Sequence, residues 1–170
     1  MGLSEGFLAE FDNEMISTRK TLERIPEDKL AWQPHDKSMG LGRLAAHIAE
    51  LPSMGTRIVQ TDLLDLASRP LGNMAPKPLV AESQKHVLEL FDKRVADFRA
   101  AVGSASDEDL QQYWTLAFGE KKIYSGPRIG ALRRMMLNHM IHHRAQLGVY
   151  LRLNGIAVPS VYGPSADEGM

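Results

Sequence analysis

Residues 128–153 are predicted to form one long amphipathic helix whose apolar face carries two histidines. At 100° per residue, six side chains fall within an arc of roughly 80°, and they are Leu132, Met136, His139, His143, Leu147 and Tyr150. His142 lies roughly 80–100° away from this stripe on the same count, which predicts a flanking position. Residues i and i+4 lie one turn apart on the same face, so His139 and His143 are expected to point together into the core.

The arginines of this helix are predicted to lie on its other side. They are Arg133, Arg134, Arg144 and Arg152. Charged residues opposite an apolar stripe are typical of a solvated face, or of part of a subunit interface.

Three more helices are predicted upstream, at about residues 4–23, 41–66 and 79–102. Pro52 predicts a kink or a local break in the second, because proline removes a backbone donor. Residues 69–79 are proline-rich and predict a linker. Residues 105–127 form an irregular insert with a weak hairpin pattern at 113–118 and 121–124, and the tail from Val158 is predicted to be irregular. This order of elements predicts an all-α four-helix bundle with a small irregular insert before the last helix. The bundle is predicted to form a single domain over residues 1–170.

A third histidine is predicted to face the same core from the second helix. His47 lies within about 40° of the centre of that helix's apolar arc, near Leu51. Any one inward histidine is more often a hydrogen-bonded core residue than a ligand. Three converging imidazoles instead predict a metal site with three protein ligands and one open position, as in catalytic zinc sites. Met140 follows His139 where zinc proteases have glutamate, which disfavours a metalloprotease.

Composition narrows the chemistry further. The chain has no cysteine, which excludes disulfides, a protein thiolate nucleophile and cysteine-ligated zinc or iron–sulfur sites. Imidazole ligands suit several divalent ions, with Zn or Ni the expected ones. The net charge of −1 gives no electrostatic case for nucleic acid or an anionic membrane. No signal-peptide pattern and no run of ~20 apolar residues is present, so a cytoplasmic protein is expected.

Several segments resemble the DinB/YfiT-like family. They are Asn138-His-Met-Ile-His-His-Arg-Ala-Gln-Leu-Gly-Val-Tyr-Leu-Arg-Leu-Asn-Gly155, Val158-Pro-Ser-Val-Tyr-Gly-Pro164, Leu30-Ala-Trp-Gln-Pro34, Ser38, and Leu44-Ala-Ala-His-Ile48. The resemblance implies a four-helix bundle with up-down-down-up connections and a divalent metal held by three histidines, which fall on His47, His139 and His143. It also implies a homodimer. Characterised relatives include thiol-S-transferases that use bacillithiol or mycothiol and a thiol-dependent maleylpyruvate isomerase, and some members are known only as induced by DNA damage.

Three functions are therefore open. The leading one is a metal-dependent enzyme that acts on a small molecule, either transferring a low-molecular-weight thiol or hydrolysing its substrate with metal-bound water. The second is a non-catalytic, stress-related metal-binding bundle, and the third is a structural bundle without metal. The catalytic residues stay open. Gln146 could reach a metal-bound water, and Glu50 could support the site or be solvated. The insert and the tail could form the pocket rim.

Overall fold

The computed structural model describes residues 2–68 and 78–169. In chain order its elements are α1 (Leu3–Leu22), α2 (Leu41–Gln60), β1 (Leu63–Asp65), α3 (Gln84–Gly103), α4 (Asp107–Gln111), β2 (Tyr113–Phe118), β3 (Lys121–Pro127), α5 (Arg128–Leu132) and α6 (Asn138–Leu153). Helices α1 and α2 each contact both α3 and α6. The four long helices thus surround one core, and the predicted helical bundle is confirmed.

The centre of the bundle is an aromatic contact between α1 and α3. The rings of Phe11 and Phe98 meet edge to face with 4.7 Å between their centroids. Helix α2 approaches this pair through Gly55, where an added Cβ would lie 2.5 Å from the Phe98 ring. A residue without a side chain is therefore required for α2 to pack closely on α3.

A three-stranded sheet is added to the helices. The predicted hairpin is confirmed: β2 pairs antiparallel with β3, and the turn uses Gly119 at a positive φ of 57°. Strand β1 was not predicted, and it pairs in parallel with residues Thr115 to Ala117 of β2. The all-α description therefore holds for the framework, while the insert and the end of the second predicted helix form a small sheet.

Helices α2 and α3 differ from the predicted ones in three features. Helix α2 ends at Gln60 and not at residue 66, because the next residues pair with β2. Pro52 lies inside α2, which runs on without a break. Helix α3 begins at Gln84, where the Ser83 hydroxyl caps it by accepting from the amide of His86. Most of the predicted linker, residues 69–77, lies outside the described residues.

A buried arginine joins the sheet to the bundle. The Arg128 guanidinium donates to the carbonyls of Ile58 and Thr61 at the end of α2 and to the carbonyl of Asp109 in α4. It also pairs with the Asp62 carboxylate just before β1. One side chain thereby satisfies carbonyls that the end of α2 leaves without helical partners.

Arg144 contradicts the prediction of a solvated arginine face. Its side chain is only 4% exposed, and its Nη1 lies 2.7 Å from the Glu14 carboxylate of α1. The same nitrogen donates to the Thr18 hydroxyl, and Nη2 donates to the hydroxyl of Tyr162 in the tail. Helical periodicity predicts that Arg144 lies away from the apolar stripe, but α1 covers that side of the helix with the Glu14 carboxylate.

Within residues 2–68 and 78–169, each helix is either too short or too polar to span a bilayer.

Candidate metal centre

Three histidine side chains converge between α2 and α6. The Nε2 atom of His139 lies 2.8 Å from Nε2 of His143 and 3.5 Å from Nε2 of His47. One ligand nitrogen from each ring lies within 4.8 Å of the other two. The structure therefore brings together the three histidines singled out in the sequence, although His47 is separated from the other two by more than half the chain.

A π-helical segment, Arg133–Leu137, immediately precedes the histidine pair. Such segments occur mostly as single turns within α-helices and frequently lie at functional sites. It leaves Met136 buried upstream while His139 and His143 keep the i, i+4 spacing that sets their rings one above the other. Periodicity alone did not indicate it, since the apolar pattern continues through the segment.

A hydrogen bond fixes which nitrogen of His143 faces the site. Nδ1 of His143 lies 2.6 Å from the amide oxygen of Gln146, so Nδ1 carries the proton. Nε2 of His143 therefore presents a lone pair towards Nε2 of His139, which lies 2.8 Å away. A neutral imidazole nitrogen whose partner nitrogen donates to an oxygen acceptor is a typical metal ligand.

The imidazoles are held in the neutral form that metal binding needs. Burial, followed by the neighbouring His143 and His139, lowers the pKa of His47 to about 4. Burial also lowers the pKa of His139 and of His143 below the ordinary histidine value. All three rings therefore present a free nitrogen lone pair at neutral pH.

The spacing of the nitrogens fits a divalent ion. Two imidazole nitrogens bound tetrahedrally at about 2.0–2.1 Å from one ion lie roughly 3.4 Å apart. The Nε2–Nε2 distance of 3.5 Å between His47 and His139 matches this value. The Nε2 atoms of His139 and His143 lie 2.8 Å apart, so these two rings would have to move slightly apart to bind the same ion. Three neutral nitrogen ligands on two helices are a donor set that zinc and nickel accept.

A cavity of about 490 Å³ borders two of the three histidines, His47 and His139. Its walls are mainly apolar side chains from α2, the sheet region and the π segment, and they include Leu51, Met54, Leu64, Leu66, Leu116 and Met135. The volume lies in the range of small-molecule sites. Leu116 belongs to the insert, which therefore contributes to the cavity wall as expected. The described part of the tail contributes none of the lining residues and packs near α6 elsewhere.

The two candidate supporting residues, Gln146 and Glu50, differ in what they contact. Gln146 does not need a water to reach the site, because its amide oxygen contacts the His143 ring directly. Glu50 lies on the cavity wall, where its carboxylate is 3.1 Å from Arg43. His142 is exposed, as predicted from its flanking position.

Sequence reasoning missed two arginines of the cavity. Arg57 of α2 and Arg94 of α3 both line it. Arg57 lies ten residues after His47, which places it about 80° away around α2 at 100° per residue, so helical spacing did not group it with the histidine. Arg94 lies on a helix that carries none of the three histidines, and only the packing of α3 on α2 brings it to the cavity.

Replacing Gln146 by leucine should weaken metal affinity by about 10–100-fold while leaving the protein folded. Leucine removes the acceptor that holds the His143 ring with Nε2 facing the site. The measurement is a competition titration of zinc against a chromophoric chelator. Gln146→Glu serves as the matched variant, because it retains an oxygen acceptor and should keep most of the affinity. Unchanged affinity in the leucine variant would contradict the orienting role.

Related proteins share this fold over the whole chain. A model of the DinB family matches residues 2–169. YrdA of Bacillus subtilis strain 168, an uncharacterized protein, is 26% identical over 165 residues, covering 95% of this chain and 89% of YrdA. The crystal structure of a DinB-like protein from Bacillus cereus ATCC 10987 superposes with a TM-score of 0.68 at 27% identity, covering 93% of this chain and 97% of the other.

The fold match extends to a more distant structure. A DinB-like protein of Bacillus subtilis, YjoA, gives a TM-score of 0.67 at 19% identity, with 94% of this chain and 96% of YjoA covered. At this identity the likeness concerns the fold. With the family model spanning nearly every residue and three histidines clustered in the bundle, the chain belongs to the DinB family.

Proposed function

We propose that this protein is a metal-dependent enzyme in which His47, His139 and His143 hold one divalent ion, zinc or nickel. The observation that supports this most directly is that three Nε2 atoms converge beside a cavity, lined by His47 and His139, that is large enough for a small molecule. A purely structural metal site is closed by a fourth protein ligand. The cavity beside the histidines favours an open position instead, and hence catalysis over a non-catalytic binding role.

The proposed reaction is transfer of a low-molecular-weight thiol to an electrophile. When bound, a divalent ion would lower the pKa of a coordinated thiol and hold it as the nucleophilic thiolate. The chain has no cysteine, so the sulfur must come from a second substrate. Support for transfer over other reactions comes from the thiol-dependent activities that the family resemblance implies.

The residues of the chain supply orientation and exclusion of water. Gln146 holds the His143 imidazole in the required tautomer. The leucine and methionine side chains of the cavity wall displace water from the reacting groups, which strengthens electrostatic interactions there. Arg43 pairs with Glu50 and so offsets the negative charge that Glu50 places on the cavity wall.

The test compares untagged protein loaded with zinc or nickel against the same protein stripped by chelation. Bacillithiol, mycothiol and glutathione are each supplied with monochlorobimane, and thioether formation is followed by fluorescence. We expect at least one thiol to react more than about 10-fold faster with loaded protein, in line with metal activation of a nucleophile. Rates equal to those of stripped protein with all three thiols would contradict thiol transfer.

Hydrolysis is the second candidate, because the same open cavity admits water as readily as a thiol. A parallel assay with p-nitrophenyl acetate and no thiol tests it. A metal-dependent rate in that assay, with none in the thiol assays, would assign the protein to the hydrolases.

A further inference from the structure

The cavity beside the histidines carries two cationic side chains away from the metal site. Arg57 and Arg94 line it, and both also line an adjoining cavity of about 300 Å³ whose described lining includes none of the three histidines. Along α2, His47 and Arg57 are separated by about 15 Å of helix axis at 1.5 Å per residue. The cavity therefore runs from the imidazoles past an apolar wall to a pair of guanidinium groups.

Arg94 has donors that the protein does not use. Its Nε is buried and has no hydrogen-bond partner among the described residues. The carboxylate of Asp97 lies 4.0 Å from Arg94 Nη1, and Lys93 holds that same carboxylate at 3.0 Å. A buried donor without a partner costs about 1–3 kcal/mol. Such a cost is removed when a ligand supplies the missing acceptor.

Apart from Asp97, which lines the smaller cavity and is shared with Lys93, the other charges near the cavity do not compensate these arginines. Glu50 is the acidic residue among the described lining of the larger cavity, and Arg43 already pairs with it at 3.1 Å. Within residues 2–68 and 78–169, Arg57 makes no ion pair with a carboxylate. By contrast, most other described arginines are ion-paired at 3.2 Å or less, among them Arg99, Arg133 and Arg144.

We propose that the cavity binds an organic carboxylate with an apolar body. The carboxylate lies on Arg94 with Arg57 beside it, and the body lies against Leu51, Met54 and the leucines of the sheet region. The planar guanidinium matches a carboxylate in a bidentate arrangement, which fixes the ligand's orientation as well as its charge. The opposite end of the ligand then lies at the histidines and is the end that reacts. This last step rests on the function proposed above.

The test uses 4-phenylbutyrate and octanoate as probes, each paired with its uncharged primary amide. Isothermal titration is carried out on metal-stripped and on zinc-loaded protein. We expect each acid to bind more than about 10-fold tighter than its amide in both forms, the range of a charge-assisted hydrogen-bonded pair. Arg94→Gln should remove most of this preference, and Arg94→Lys should retain part of it.

Lys85→Gln is the matched control. It removes the same charge from an exposed position of the same helix, where Lys85 pairs with Glu89 and lines neither cavity. It should leave the preference for acid over amide unchanged. Zinc content should be the same in wild type, Arg94→Gln and Lys85→Gln, and thermal unfolding should show that all three are folded.

Four results would overturn the proposal: no binding of either acid, equal binding of acid and amide, equal losses in the Arg94 and Lys85 variants, or a preference that disappears when zinc is removed. The last would mean that the carboxylate binds the metal and not Arg94. If the protein binds no zinc while the stripped form still prefers acids through Arg94, the carboxylate site stands and the proposed metal-dependent function fails.

Discussion

Replacing His47 by alanine should lower the bound zinc or nickel from about one ion per chain to a small fraction of that. Only His139 and His143 would remain, and an i, i+4 pair on one helix supplies two of the three proposed ligands. Losing a ligand should cost more than the 10–100-fold associated with losing a group that orients one. The measurement is elemental analysis of untagged protein after dialysis, with a chelator competition to obtain the affinity.

His142→Ala is the matched control for this substitution. His142 lies next to His143 in the sequence, with 4.9 Å between the two ring centroids, but its side chain is exposed. Its loss should leave the metal content unchanged. Equal metal content in wild type and His47→Ala would show that the convergence of the three rings is not a metal site, and the proposed enzymatic function would have no basis.

The positions of the three histidines could be predicted because they depend on local periodicity. A side chain's angle around a helix follows from residue count, and an apolar stripe shows which angle faces the core. His139 and His143 were placed by this rule, and so was His47 from a different helix. The convergence of α2 and α6 then follows from the packing of the bundle. The π segment lies upstream of both α6 histidines and so does not disturb their spacing.

The sheet could be predicted only in part, because strand pairing depends on distant residues. The β2–β3 hairpin has a short local connection, and its pattern was visible. Strand β1 pairs with β2 across some fifty residues of chain, and the sequence pattern alone had placed its residues at the end of the second helix. The pairing with β2 decides between these two states, and a single segment read alone does not contain that information.

The environments of charged residues likewise could not be predicted from the local sequence. Arg94 reaches the cavity from α3, and neither its own helix nor its neighbours in sequence indicates that its Nε will be buried without an acceptor. Arg144 was assigned to a solvated face because charge and helical angle both favoured solvent. Arg144 is instead buried against Glu14, which lies 130 residues away in α1. Periodicity predicts which side of a helix a residue occupies, while its environment depends on the element that packs there.

Replacing Arg144 by methionine should lower the free energy of unfolding by about 3–5 kcal/mol, as expected when one partner of a buried ion pair is removed. Glu14 is only 13% exposed on its side chain, so the variant would leave a nearly buried carboxylate without its guanidinium partner. The hydroxyl of Tyr162 also donates to that carboxylate, but one neutral donor does not replace a full charge. Urea unfolding followed by circular dichroism gives the free energy.

Two further variants separate the cost of an unpaired charge from the loss of the side chain itself. Arg133→Met removes an arginine of the same predicted face whose pair with Glu10 is exposed, and it should cost no more than about 1 kcal/mol. The double variant Glu14→Leu/Arg144→Met should recover most of the stability lost by Arg144→Met, because neither partner is then left charged and buried. The carbonyl of Glu14 still accepts from the Thr18 hydroxyl in that variant. A double variant no more stable than Arg144→Met would show that the arginine stabilises the junction of α1 and α6 by packing, and not by neutralising Glu14.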